Sequence, residues 1–161
     1  MTLAPNKRLR RTLAIGAVAA LVAGAVTAAP ATAATPVISV DFESGSYAPL
    51  VASGVSDSAL QVVDVGDTKA LQVTDRATDF DGVQTAPGAL TPGTDYEFSV
   101  DVRLADGVPR SSARLVGVPG YTWIGNTTVT GSEWTTVHGT WTVPETAAAD
   151  EGKVYVGTAD L

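Results

Sequence analysis

Three aromatic residues are candidates for a surface role, although Trp123 could equally pack in the core and Tyr121 could cap a strand end. Phe80 lies between Asp79 and Asp81-Gly82, Tyr121 follows Pro119-Gly120, and Trp123 comes two residues later. Flat rings left at a surface stack on the C–H faces of a pyranose, and planar polar groups at their margin bind its hydroxyls. Arg76, Asp79, Asp81 and Asn126 are candidates for that margin. A ring that takes ~50–80 Å² of apolar surface out of water at ~25 cal/mol/Å² contributes ~1–2 kcal/mol. Bond-breaking chemistry has less support. His138 is the sole histidine, cysteine is absent, and no nucleophile-elbow motif accompanies it, which leaves zinc and acyl-enzyme chemistry without their residues. Glycoside hydrolysis needs two carboxyls roughly 5–9.5 Å apart. Glu97 and Asp101 share one strand face, but four residues at ~3.3 Å each separate them by about 13 Å.

Stacking rings need a rigid support, and the sequence supplies strands. Residues 95–105, DYEFSVDVRLA, place Tyr96, Phe98, Val100, Val102 and Leu104 on alternate positions, with Glu97, Ser99, Asp101 and Arg103 between them. This is the period of a half-buried strand, which predicts a central strand of an antiparallel sheet packed on a second sheet, its polar side open to a ligand. Further strands are expected over residues 38–43, 48–53, 59–65, 69–74, 83–86, 113–118, 121–130, 133–143 and 153–157, separated by glycine, proline and aspartate turns. Trp141 shares a face with Val137 and Val143, and with Trp134 it is assigned to the core, as are Tyr96 and Phe98. Helical periodicity is missing apart from a short turn near residues 145–151. The class is all β: a sandwich of two antiparallel sheets. An apparent strand immediately before Leu161 predicts that the final strand of the sandwich is lacking.

The N-terminus reads as a secretory signal peptide over residues 1–33: Lys7, Arg8, Arg10 and Arg11 precede an apolar run from Leu13 to Val26, then Ala31-Thr32-Ala33. The apolar run is shorter than the ~20 residues of a membrane-spanning helix. The mature domain, residues 34–161, has the length of one domain and buries roughly two-thirds of its unfolded surface. Removing the four leader cations leaves six basic against 17 acidic residues, a net charge of about −11. Nucleic acid and anionic membrane both require a basic patch that this composition does not offer. A neutral partner in the extracellular medium suits it.

Four blocks in order carry a family resemblance: DFESGSY from Asp41, LQVTDRATDFDG from Leu71, PGTDYEFSVDVRLADG from Pro92 and TVTGSEWTTVHGTWTVP from Thr128. Together they resemble carbohydrate-binding modules of families 4, 9 and 22, most closely the family 22 xylan-binding module of secreted bacterial xylanases. The resemblance implies a jelly-roll β-sandwich that binds xylan or mixed β-glucan without catalysis. It implies a monomeric module covalently linked to a glycoside hydrolase domain, an endo-1,4-β-xylanase. Residue by residue, it assigns sugar contacts to Arg76, Phe80, Tyr121, Trp123 and Tyr155, with Phe80 where the family has tryptophan. It also implies a structural calcium ion, with Glu43 as one ligand. Two other readings stay open: a small sandwich-fold enzyme degrading polysaccharide, and a surface adhesion domain, in which Phe80, Tyr121 and Trp123 would be buried or scattered.

Overall fold

The computed structural model describes residues 13–17 and 36–159. The expected leader therefore lies outside the described residues except for five, Leu13–Ala17, which form strand β1. The remaining strands are β2 (Pro36–Val40), β3 (Leu50–Ser53), β4 (Leu60–Val65), β5 (Thr68–Val73), β6 (Gly82–Thr85), β7 (Asp95–Val102), β8 (Ser111–Val118), β9 (Thr122–Val129), β10 (Thr135–Thr142) and β11 (Lys153–Thr158). A 3-10 turn, Asp57–Ala59, precedes β4.

Two antiparallel sheets make the sandwich, with strand orders β10-β7-β1-β2 and β3-β6-β11-β8-β9; β4 and β5 pair apart from them as a hairpin. As the alternation predicts, β7 is internal to its sheet, in register with β10 from Asp95↔Thr142 to Val102↔Thr135. Its other neighbour is β1, which pairs with Tyr96 through Ser99 on one side and with β2 on the other. The expected missing final strand would follow the described residues, and the lane between β2 and β7 is held here by β1.

The core fills the space between the two sheets. Ile38, Val40, Tyr96, Phe98, Val137 and Trp141 from one sheet meet Leu50, Ala113, Leu115, Val129 and Val154 from the other. Each comes from the inward set of its strand, so alternation within each strand is converted into one contiguous apolar layer. Trp141 is a core residue, as expected. Its indole lies so close to β8 that a Cβ on Gly117 would stand 2.6 Å from the ring, which explains glycine at that position.

One sequence expectation needs correction. Trp134 is not in the core: it is half-buried, with the Arg103 guanidinium 5.5 Å from its ring. It precedes β10 instead of lying within it, and it lines a cleft of about 390 Å³ together with Val100, Val102, Leu104 and Val108. On the polar side of β7 the Thr136 hydroxyl donates to Asp101 at 2.6 Å and that of Thr142 donates to Asp95, while Glu97 between them is exposed. The aromatic cluster lies on the opposite sheet.

Candidate functional site

The site is built on the outward side of β8, β9 and β11. Ala113 and Leu115 point into the core, so Ser112, Arg114 and Val116 point out; on β11, Val154 points in, and Tyr155 and Gly157 point out. Pairing places Arg114 between Gly157 and Asn126, and Val116 between Tyr155 and Trp123. Val116 is therefore a floor residue, only 2% exposed although it faces away from the main core.

An irregularity in β9 decides which aromatic residue reaches this face. Asn126 pairs with the outward Arg114, so strict alternation would turn Ile124 outward and Trp123 inward. The register shifts after Leu115↔Gly125, however, and Val116 pairs with Trp123, leaving Ile124 as the extra residue of a bulge. Ile124 packs against the core and Trp123 turns to the surface. Tyr121 sits just outside the strand with φ of 51°, a left-handed conformation that a bulky residue rarely adopts. Exposure is 48% for Phe80, 69% for Tyr121 and 60% for Trp123.

The loop between β5 and β6 closes the other side. Asp81 is 3% exposed and organises it. One carboxylate oxygen accepts the backbone N–H groups of Ala77 (2.6 Å) and Thr78 (2.8 Å), and the other accepts the Thr78 hydroxyl (2.8 Å). Arg76 fastens the same loop to β11. Its Nε donates to the Asp81 carbonyl at 2.8 Å, its Nη2 to the carbonyls of Thr158 (3.0 Å) and Thr78 (3.3 Å), and its Nη1 to the Thr158 hydroxyl. The loop then passes directly over β11: a Cβ on Gly157 would lie 2.2 Å from the Asp79 carbonyl oxygen and 3.6 Å from Phe80 Cα. Only glycine leaves room for that crossing, which sets Phe80 and Asp79 beside Tyr155 and Arg114.

The electrostatics follow from these contacts. Burial pushes the Tyr155 phenol above its ordinary pKa, Asp79 and Tyr121 add to the rise, and Arg114 opposes it. Burial also draws Arg76 below the usual guanidinium value, against Asp81 and Asp79. The Ala77 N–H, then the Thr78 hydroxyl, hold Asp81 below the usual carboxylate range. A carboxyl with a folded pKa below its unfolded value of about 3.9 stabilises the fold fully above that value and loses the contribution as pH falls through the folded pKa. Thermal midpoints measured from pH 7 down to pH 2 should therefore fall more for the native chain than for Asp81→Asn, which starts lower at pH 7. Parallel midpoint curves for the two proteins would refute this role.

Four of the five expected contact residues, Phe80, Tyr121, Trp123 and Tyr155, thus come to one face. Arg76 lies beneath it with its donors turned into the protein. Sequence reasoning missed Arg114, although it left a signal: a lone cation between Ala113 and Leu115 in an apolar strand must face outward. The Arg114 guanidinium lies 4.4 Å from the Trp123 ring centroid, and its Nη1 lies 3.3 Å from Asp79 Oδ2. Its Nε is buried without a hydrogen-bond partner. Asn126, also considered for the margin, accepts a hydrogen bond from Ser112.

The expected calcium ligand, Glu43, accepts the Lys69 backbone N–H at 3.1 Å. The Lys69 ammonium binds Asp64 at 2.8 Å, and this hydrogen bond is the main cause of its raised pKa. Calcium takes 6–8 oxygen ligands. Among the described residues no three acidic or histidine side chains gather to hold a metal.

The sequence pattern described as carbohydrate binding domain matches residues 36–160. No curated protein matches the chain. Several solved structures do. One contains the CBM22-1 and GH10 modules of the N-terminal part of endo-1,4-β-D-xylanase 10B from Clostridium thermocellum, complexed with xylohexaose. It is 22% identical, with a TM-score of 0.59 over 74% of this chain and 25% of the other, so the present chain spans a quarter of that protein. The CBM22-1 xylan-binding domain of Paenibacillus barcinonensis is 17% identical, with a TM-score of 0.60 over 74% of this chain and 81% of its own. A CBM22-1–CBM22-2 tandem from the same organism gives 18% identity and a TM-score of 0.63 over 83% and 43%. At these identities the likeness is one of fold.

Proposed function

We propose, from the premise that this chain belongs to the carbohydrate binding domain family, that the outward face of β8, β9 and β11 binds an extended xylan or β-glucan chain without cleaving it. The observation that carries this reading is the gathering of exposed Phe80, Tyr121 and Trp123 with Tyr155 around the Arg114–Asp79 pair. Neither burial nor scattering of the rings, the mark of an adhesion domain without a groove, describes them. Sugar faces stack on the rings while hydroxyls meet the Arg114 donors and the Asp79 acceptor. Two or three rings at ~1–2 kcal/mol each, less the ordering cost of association, give dissociation constants on the order of micromolar to millimolar.

Affinity of that size serves a tethered module. The proposal therefore includes secretion through the leader at residues 1–33 and a covalent link to a xylan-degrading catalytic domain, where effective concentration multiplies weak binding. The fold shared with a domain solved in one chain with a GH10 module supports this arrangement. Affinity electrophoresis of the full chain in gels containing soluble xylan or mixed-linkage β-glucan tests the core of it. Retarded migration in at least one gel is expected, and unchanged mobility in both removes the reading.

A further inference from the structure

We propose, resting on the sugar-binding reading above, that Asp79 is a specificity-determining residue: by occupying Arg114 it tunes the groove to neutral glycans and turns away chains that carry uronate groups. Arg114 is the cation set among the rings, beside Asp79 and against Trp123; the donors of Arg76 are bound to backbone and side-chain oxygens of its own loop and of β11, and Lys153 lies toward the Val118 end of the face, two residues from Tyr155. The Arg114 side chain is 22% exposed, one face of the guanidinium lies against Trp123, and its Nε is buried with no partner. A partly desolvated guanidinium with unused donors attracts any carboxylate that reaches it, since charge-assisted contacts strengthen as water is removed.

Asp79 supplies that carboxylate from within the protein, at 3.3 Å and 53% exposed at the groove margin. An incoming uronate must displace it or stand beside it, and like charges set side by side disfavour the wrong partner. The rest of the domain adds a negative field of about −11. A neutral sugar meets no such opposition, because its hydroxyls donate to Asp79 and accept from Arg114 with the ion pair in place. The position of Asp79 follows from the crossing over Gly157, so the gate is part of the same loop that presents Phe80.

The test is calorimetric titration of the full chain and of its Asp79→Asn variant with two probes: an unbranched neutral xylo-oligosaccharide and the same oligosaccharide carrying one glucuronate branch. The native domain should prefer the neutral probe. In Asp79→Asn the ratio of neutral to acidic affinity should fall about tenfold at low salt, as expected when an uncompensated, partly buried cation is freed. The change should shrink in 0.5 M salt, where the Debye length drops well below 10 Å, and vanish in the Asp79→Asn/Arg114→Gln double variant. A ratio within twofold of the native value, with neutral binding by the native domain demonstrated, overturns the gate alone. Absence of neutral binding by the native domain overturns the sugar-binding reading and the gate with it.

Discussion

Trp141→Ala should destabilise the domain by about 3–5 kcal/mol, the usual cost of truncating a large buried aromatic. For a domain of this length that corresponds to a fall in melting temperature on the order of 10–20 °C. The indole is buried in the layer between the sheets, with Phe98, Val137 and Val143 among the residues of the same cluster, and it presses against β8 at Gly117. Neighbours cannot collapse far into the space it leaves, because the backbone on both sides is fixed by strand pairing. Glycan affinity, measured well below the lowered midpoint, should stay within about twofold, since the ring lies under the opposite side of β8 from Arg114. Differential scanning calorimetry combined with titration decides the matter. A loss below about 1 kcal/mol would show that the residue is not a core anchor.

Trp123→Ala and Tyr121→Ala should do the reverse. Each removes an exposed ring, so the melting temperature should move by no more than about 2 °C, as for other surface substitutions. Loss of ~1–2 kcal/mol of stacking predicts a fall in glycan affinity of roughly 5–30-fold. Trp123→Ala should fall at the larger end, because the indole also holds the guanidinium of Arg114 in place. Phe80→Ala belongs to the same class with a smaller effect, having the smaller exposed ring. Should these variants lose thermal stability in step with Trp141→Ala, the division between binding face and core would be wrong.

The two sets of tryptophan effects differ for a reason only partly visible in the sequence. Alternation over β7 and β10 pointed Phe98, Val137 and Trp141 inward, and the structure agrees because a two-residue period leaves no other face for them. The same rule applied to β9 would have turned Trp123 inward. One extra residue at Ile124 reverses that, and such a bulge depends on pairing with β8, which no local pattern displays. Trp134 was misread for a related cause: it stands one residue before β10 begins and is not bound by the alternation that governs Trp141.

The two arginines show the limit most clearly. Arg76 and Arg114 are equivalent as residue types, and both lie near candidate site residues in sequence. Their roles separate only when β11 passes beneath the β5–β6 loop. Arg76 then faces the oxygens of Thr78, Asp81 and Thr158, whereas Arg114 is left with Asp79 and the face of Trp123.

From its order of residues alone this chain is an acidic all-β sandwich with apolar strand faces and surplus aromatic residues at its surface, because composition and a period of two are local properties. Which rings share a face, which cation meets them and which is bound beneath were decided by the pairing of β8 with β9 and β11 and by the loop crossing at Gly157. Those depend on contacts between residues far apart in the chain, where backbone register and steric room, not residue type, determine the neighbours.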